Sequence, residues 1–193
     1  MLGLNGSLVR GQENAESDID FLVVARCGRL YTARFFATIL TELTGYRRKG
    51  NSVAGRICLN CYLPDNDLNI APANPKSRKK VAWAYKYLIA MIDGGDYERK
   101  FREANKWFDK YHVAGRKYNV FLRKKMKSPR KPKKWGEKIL AGRLGDFVER
   151  KLRDYQVRRI LAGKKRGDEI VCKENEIRLH PRKVHKICKV KSS

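Results

Sequence analysis

One short segment constrains this chain more than any other: Ser17-Asp18-Ile19-Asp20-Phe21-Leu22-Val23-Val24-Ala25. From Ile19 to Ala25 it is β-branched and almost continuously apolar, the pattern of a strand buried in a sheet. At the start of that strand stand two acidic residues. Strand positions i and i+2 share a face, so Asp18 and Asp20 present two carboxylates to one point. Carboxylates that close repel one another, which raises the cost of ionising both unless a cation lies between them. A hard divalent ion such as Mg²⁺, with oxygen ligands and retained waters, is the natural partner.

The rest of the chain reads as folded units around such strands. Leu2 to Leu4 forms a strand ended by Asn5-Gly6-Ser7, and Gly6-Ser7 opens a helix. Tyr31 to Leu43 is a helix with Phe35, Ile39 and Leu43 on its buried side, closed by Gly45. Arg56 to Leu63 is a further strand, and Pro64-Asp65-Asn66-Asp67 the turn after it. Residues 1–71 therefore read as a compact unit of mixed strands and helices. After Pro72 and Pro75 the pattern turns helical, so 72–193 reads as a basic, mainly helical region. Val81 to Ile92 is one helix, stopped by Gly94-Gly95. Asp96 caps the next, with Phe101, Ala104, Phe108 and Tyr111 along one side. Trp83, Tyr85, Tyr87 and Trp107 read as core. A linker near 123–136 contains Pro129 and Pro132, which exclude regular helix. A long helix then runs from about Glu137 to Leu161, with Leu140, Leu144, Phe147, Leu152 and Tyr155 as its buried stripe. Glu169 to Leu179 reads as extended and Arg182 to Val190 as a last short helix. The fold class is α+β.

Charge narrows the partners. The 193 residues hold 45 Lys+Arg against 20 Asp+Glu, a formal net charge of +25. Polyanions attract such a surface, nucleic acid and nucleotides first among them. From Arg123 to Lys138 only Glu137 opposes a run of lysines and arginines. Trp135 near its end offers a surface on which a base can stack, so this stretch either tracks an RNA backbone or is a solvated loop. With 42% hydrophobic and 10% aromatic residues the chain is not a disordered polyelectrolyte. No apolar run approaches the roughly 20 residues that cross a bilayer, and no leader is evident at the start, so a cytoplasmic protein is expected.

The five cysteines, Cys27, Cys58, Cys61, Cys172 and Cys188, suit reduced thiols. Cys58 and Cys61 have the spacing of half a zinc knuckle, but they lie in a strand, where i and i+3 point to opposite faces. His180, His185 and Cys188 lack a fourth ligand. All five cysteines are read as small core or surface residues.

Gly6-Ser7 gives the carboxylates a companion. A glycine lets a phosphate approach the backbone closely, where exposed N–H groups and the Ser7 hydroxyl can hold it. A phosphate cradle beside paired aspartates is the equipment of metal-assisted phosphoryl or nucleotidyl transfer. The segment GSLVRGQENAESDIDFLVVA resembles the Gly-Ser…Asp-x-Asp signature of the DNA polymerase beta-type nucleotidyltransferase superfamily. The resemblance is specific over residues 2–25 and extends in element order to about residue 70. Farther on, EANKWF at Glu103 to Phe108 is similar to regions that follow this domain in bacterial proteins.

The resemblance implies a nucleotidyltransferase-like mixed sheet in which Gly6 and Ser7 contact the triphosphate of an NTP while Asp18 and Asp20 hold Mg²⁺. It implies transfer of a nucleoside monophosphate to a hydroxyl acceptor with release of pyrophosphate. The family's third carboxylate, on the neighbouring strand, has Asn60 as its counterpart here. An amide oxygen is a weak metal ligand and no base near neutral pH, and Asp65 and Asp67 follow only in the turn. The alternative is therefore a catalytically impaired nucleotide- or RNA-binding module. A third possibility is that the helical region pairs with another protein. The family places a helix and a longer first strand before Gly-Ser, so Met1 to Asn5 reads as the remnant of a shortened N-terminus.

Overall fold

The computed structural model describes residues 1–48, 52–72, 74–113, 142–164, 169–174 and 176–180. The described chain runs β1 (Leu2–Asn5), α1 (Ser7–Arg10), β2 (Ile19–Ala25), α2 (Leu30–Leu43), β3 (Ile57–Pro64), α3 (Arg78–Tyr85), β4 (Ile89–Ile92), α4 (Tyr97–Ala104), α5 (Arg143–Ala162), β5 (Glu169–Lys173) and β6 (Glu176–His180). The basic linker, Leu140 and the helix expected over Arg182 to Val190 lie outside the described residues.

The strands form one six-stranded mixed sheet in the order β4-β1-β2-β3-β6-β5. Only β2 and β3 are parallel; every other neighbouring pair is antiparallel. A parallel neighbour requires a crossover, and α2 lies on that connection. Paired on both edges and covered on both faces, β2 has little need of polar residues beyond its start, which accounts for its continuous apolar run. Leu22 and Val24 face a core shared with Val81, Ala82 and Tyr85 of α3 and with Phe101 and Phe108. Val23 faces the other way, toward Leu30 and Tyr31 of α2 and Leu152 and Val157 of α5. Helices thus cover the sheet on both sides.

Several elements differ from the sequence reading. The helix expected over Val81 to Ile92 ends at Tyr85, and Ile89–Ile92 is a strand. Its run of apolar residues suits either state, and the open edge of β1, which pairs with β4, decides for the strand. Strands β5 and β6 lie in the stretch read as extended, Glu169 to Leu179, and with β4 they extend the same sheet as β1, β2 and β3. Asp96 holds the N-cap position of α4 as expected, but its side chain makes no capping hydrogen bond. It takes a left-handed conformation, and the Asp93 carboxylate accepts the N–H groups of Tyr97 and Glu98, both at 2.9 Å. The expected close of α2 holds: Gly45 has φ 70° and its N–H donates to the Glu42 carbonyl.

Where α2 meets α5, only part of each expected apolar stripe is covered: Phe35 and Leu152 are half-buried, whereas Ile39 is exposed. Leu43 is 81% exposed, and Leu144, Phe147 and Tyr155 are each more than half exposed. Buried in their place are Thr32, Glu149 and Gln156. The Glu149 carboxylate sits on the first turn of α2 and accepts the Tyr31 N–H at 2.8 Å, the Thr32 N–H at 2.8 Å and the Thr32 hydroxyl at 2.6 Å. Two turns along α5, the Gln156 amide donates to the Tyr31 carbonyl at 2.8 Å and accepts from Arg34 at 2.6 Å. An N-terminal turn of helix has unsatisfied N–H groups and a positive end of the macrodipole, so a carboxylate docked there from another helix satisfies both. No helix among the described residues is long and apolar enough to cross a membrane.

Replacing Glu149 with Ala leaves those donors buried without a partner. A loss of about 2–3 kcal/mol is expected, with Glu149→Gln recovering part of it, as read from urea unfolding of the three proteins.

Candidate functional site

Where β1 ends, the chain must turn against β2 at very close range. Asn5 is the partner of Asp20 in the antiparallel ladder. The next residue, Gly6, adopts φ 79° and ψ −151°, a conformation that residues with a Cβ avoid. A methyl group at this position would also collide with the Asp20 carboxylate. Two separate demands therefore fix a glycine here, and both come from the approach to Asp20. The Gly6 peptide is tied on both sides. Its N–H donates to the Ala84 carbonyl at the end of α3 (3.0 Å), and its carbonyl accepts from Arg10 Nε (3.1 Å). Arg10 is 1% exposed and stacks on the Trp83 ring, 3.2 Å from its centroid. Burial lowers the Arg10 pKa to about 10, against the favourable charge of Asp20. Trp83, read as core from sequence, instead serves as the platform under this guanidinium. The sequence reading offers the Gly6 amide to a phosphate, but that amide is committed to Ala84. The backbone donors left at this turn are those that begin α1 at Ser7.

The two aspartates converge as their spacing predicts. Ligand atoms of Asp18, Asp20 and Cys58 all lie within 4.8 Å of one another. Cys58 is the β3 residue directly opposite Asp20 in the parallel register. Beyond Phe21 and Leu59 the register slips, so that Leu22 pairs with Cys61 and Asn60 is the additional residue. This bulge overturns one step of the sequence reading. Cys58 and Cys61, expected on opposite faces, are returned to the same face: Cys58 beside Asp20 and Cys61 in the core with Leu22.

Each carboxylate has its own neighbour. Asp18 pairs with Arg48 at 2.6 Å, and the same Arg48 nitrogen lies 3.9 Å from the Cys58 sulfur. Asp20 accepts a hydrogen bond from the Asn60 amide nitrogen at 2.7 Å. Burial, then the charge of Asp18, push the Asp20 carboxyl up to about 7. Burial likewise pushes the Cys58 thiol up. Asn5 and Asn60 are both buried, and the side-chain oxygen of each has no hydrogen-bond partner.

Asn60, which the resemblance sets in the place of a third carboxylate, reaches the pair with its NH₂ group turned to Asp20. Asp65 and Asp67 do not reach it. They follow Pro64, which pairs with Ala25 at the far end of β2, about 15–20 Å away at the rise of a strand. There the Asp65 carboxylate accepts the Cys27 N–H at 2.9 Å. Sequence reasoning missed Cys58, Arg48, Asn5 and Arg10. The signal for Cys58 was present in the parallel alignment of RICLNC with SDIDFL, which a crossover helix between the strands implies, but its exact register depends on the bulge.

No protein-family model, no curated protein and no solved structure matches the chain. The site is therefore judged on its own donors. Two carboxylates and a thiol converge on one point, flanked by Asn5 and Asn60 with their unpartnered amide oxygens, and form an electron-rich group that a divalent cation would satisfy.

Two measurements probe this geometry. Gly6→Ala is expected to lower stability by about 2 kcal/mol or more, from backbone strain and the collision with Asp20, in thermal or urea unfolding. The second concerns pH in metal-free protein. With its folded-state pKa raised from an unfolded value near 4 to about 7, Asp20 holds its proton longer in the folded chain. Its contribution is most favourable below the unfolded value and is lost as pH rises through about 7. Urea midpoints should fall across that window, and Asp20→Asn should flatten the fall.

Proposed function

We propose that the chain is a nucleotidyltransferase-fold enzyme that moves a nucleoside monophosphate from an NTP to a hydroxyl acceptor with Mg²⁺. The observation that carries this reading is the packing of the Gly6 backbone directly on Asp20, which joins the turn at Gly6-Ser7 and the Asp18/Asp20 pair in one site. Asp18 and Asp20 would hold the cation, which supplies charge neutralisation for the phosphates when bound. Gly6 fixes the turn, and Ser7 offers its hydroxyl and N–H to the outer phosphates. In the reaction the acceptor oxygen bonds to the α-phosphorus, pyrophosphate leaves and the hydroxyl proton is lost. No described carboxylate besides the pair itself stands ready to take that proton. Since phosphoryl and nucleotidyl transfer rest largely on positioning and electrostatics, loss of a general base slows the reaction by about 10²–10⁴ and leaves the remainder in place.

One observation favours a second reading, a module that binds nucleotide or RNA without transfer. Asn60 turns its NH₂ group to Asp20 and so offers the pair a donor where the resemblance leads one to expect an acid. The net charge of +25 suits a polyanionic partner in either case.

The test is turnover of α-labelled NTPs with Mg²⁺ over a panel of hydroxyl acceptors. Wild type should release pyrophosphate slowly and label the acceptor. Asp18→Ala with Asp20→Ala should reduce this by about a thousandfold or more. Label transfer that survives the double change refutes the enzyme reading. Mg²⁺-dependent nucleotide binding with no transfer by wild type selects the binding module.

A further inference from the structure

Cys58 has no role in the reading above, yet it occupies the position on β3 directly opposite Asp20. Its sulfur completes a triangle with the Asp18 and Asp20 oxygens, every side within 4.8 Å. From the other edge of β2, Asn5 stands across from Asp20 on the same face, 1% exposed, with its side-chain oxygen lacking any hydrogen-bond partner. A buried acceptor left unsatisfied across from a carboxylate is costly unless a cation meets it. One cation is already drawn to the triangle: the Arg48 guanidinium, on Asp18 at 2.6 Å and 3.9 Å from the Cys58 sulfur. It reaches in from a position that is only partly buried, so it can withdraw toward solvent when a metal ion takes its place.

We propose that Cys58 is the third side-chain ligand of the cation site, with Asp18 and Asp20, and that the site takes a borderline divalent ion of the Co²⁺ or Zn²⁺ class in preference to Mg²⁺. This rests on the assignment of a cation site to the aspartate pair and deepens it. Mg²⁺ is a hard ion that binds oxygen and keeps its water, whereas thiolates select softer metals. On binding, a metal–sulfur bond forms, the S–H bond breaks and its proton passes to solvent, with no change of oxidation state. Asn5, across from Asp20 in the ladder, has an unpartnered oxygen that the ion or its water can meet. Asn60, which is bonded to Asp20, orients that carboxylate.

The experiment titrates Co²⁺ into the full chain and records absorption, with Mg²⁺ and Co²⁺ affinities measured alongside by calorimetry. Wild type should show a sulfur-to-cobalt charge-transfer band in the near ultraviolet. Cys58→Ser should abolish that band and weaken Co²⁺ binding by about tenfold or more, at least as much as loss of an outer-shell partner costs. Cys27→Ser and Cys172→Ser should keep it. Cys58→Asp, which substitutes oxygen for sulfur, should lose the band and shift the preference toward Mg²⁺; it also serves if the serine variant does not fold. A band that survives Cys58→Ser overturns the inference, as does a Cys58→Asp protein with the wild-type metal preference. Divalent binding that requires Asp18 and Asp20 but gives no band overturns the role of Cys58 and leaves the cation site standing. If wild type binds Co²⁺ and Mg²⁺ no better than Asp18→Asn with Asp20→Asn, the cation site and this inference fail together.

Discussion

The Asp20 carboxylate fills the space that a side chain at position 6 would need, and the start of this sheet is organised around that contact. A side chain at Gly6 would drive β1 away from β2. The left-handed φ that glycine permits lets the chain leave β1 at once and begin α1 over the carboxylates. The tie from Gly6 N–H to Ala84 carries α3 into the same arrangement, and the Arg10 stack on Trp83 holds it from the other side. A turn, a helix end and a buried acid are thereby fixed as one unit.

That unit concentrates negative charge in a place where burial makes charge expensive. The molecule limits the cost by several local means. Arg48 neutralises Asp18, Asn60 donates to Asp20, and the Asp20 carboxyl, raised to about 7, is readily protonated. Even so, Asn5 and Asn60 keep unsatisfied oxygens. Stability alone would favour apolar residues at such positions. Retained polar groups that lack partners are where a fold departs from its best packing, and such departures concentrate at functional sites.

Across the sheet, polar contacts also set how α5 meets α2. Glu149 and Gln156 bind the backbone of Tyr31 and Thr32, more than a hundred residues away in sequence. Because these hydrogen bonds fix the rotation of both helices, large apolar residues such as Phe36, Leu40 and Leu43 on α2 and Leu144 on α5 remain exposed. Hydrophobic periodicity ranks faces by oiliness alone, so it cannot anticipate a helix whose buried side is chosen by a carboxylate seated on another helix's first turn.

The local pieces are legible in short stretches of the chain. The apolar run of β2 had one stable use, the i, i+2 spacing of Asp18 and Asp20 put them on one face, and glycines at positions 6 and 45 marked turns that need a left-handed backbone. These follow from strand period and backbone sterics, which act over a few residues. Tertiary structure decided what depends on partners far along the chain. The edge of β1 made Ile89–Ile92 a strand, and the bulge at Asn60 returned Cys61 to the face of Cys58. The parallel register of β3 brought Cys58 opposite Asp20, and Arg48 came to rest on Asp18. Register and edge pairing are settled by hydrogen bonds and packing between separated segments, so no window of sequence contains the free energies that choose among them.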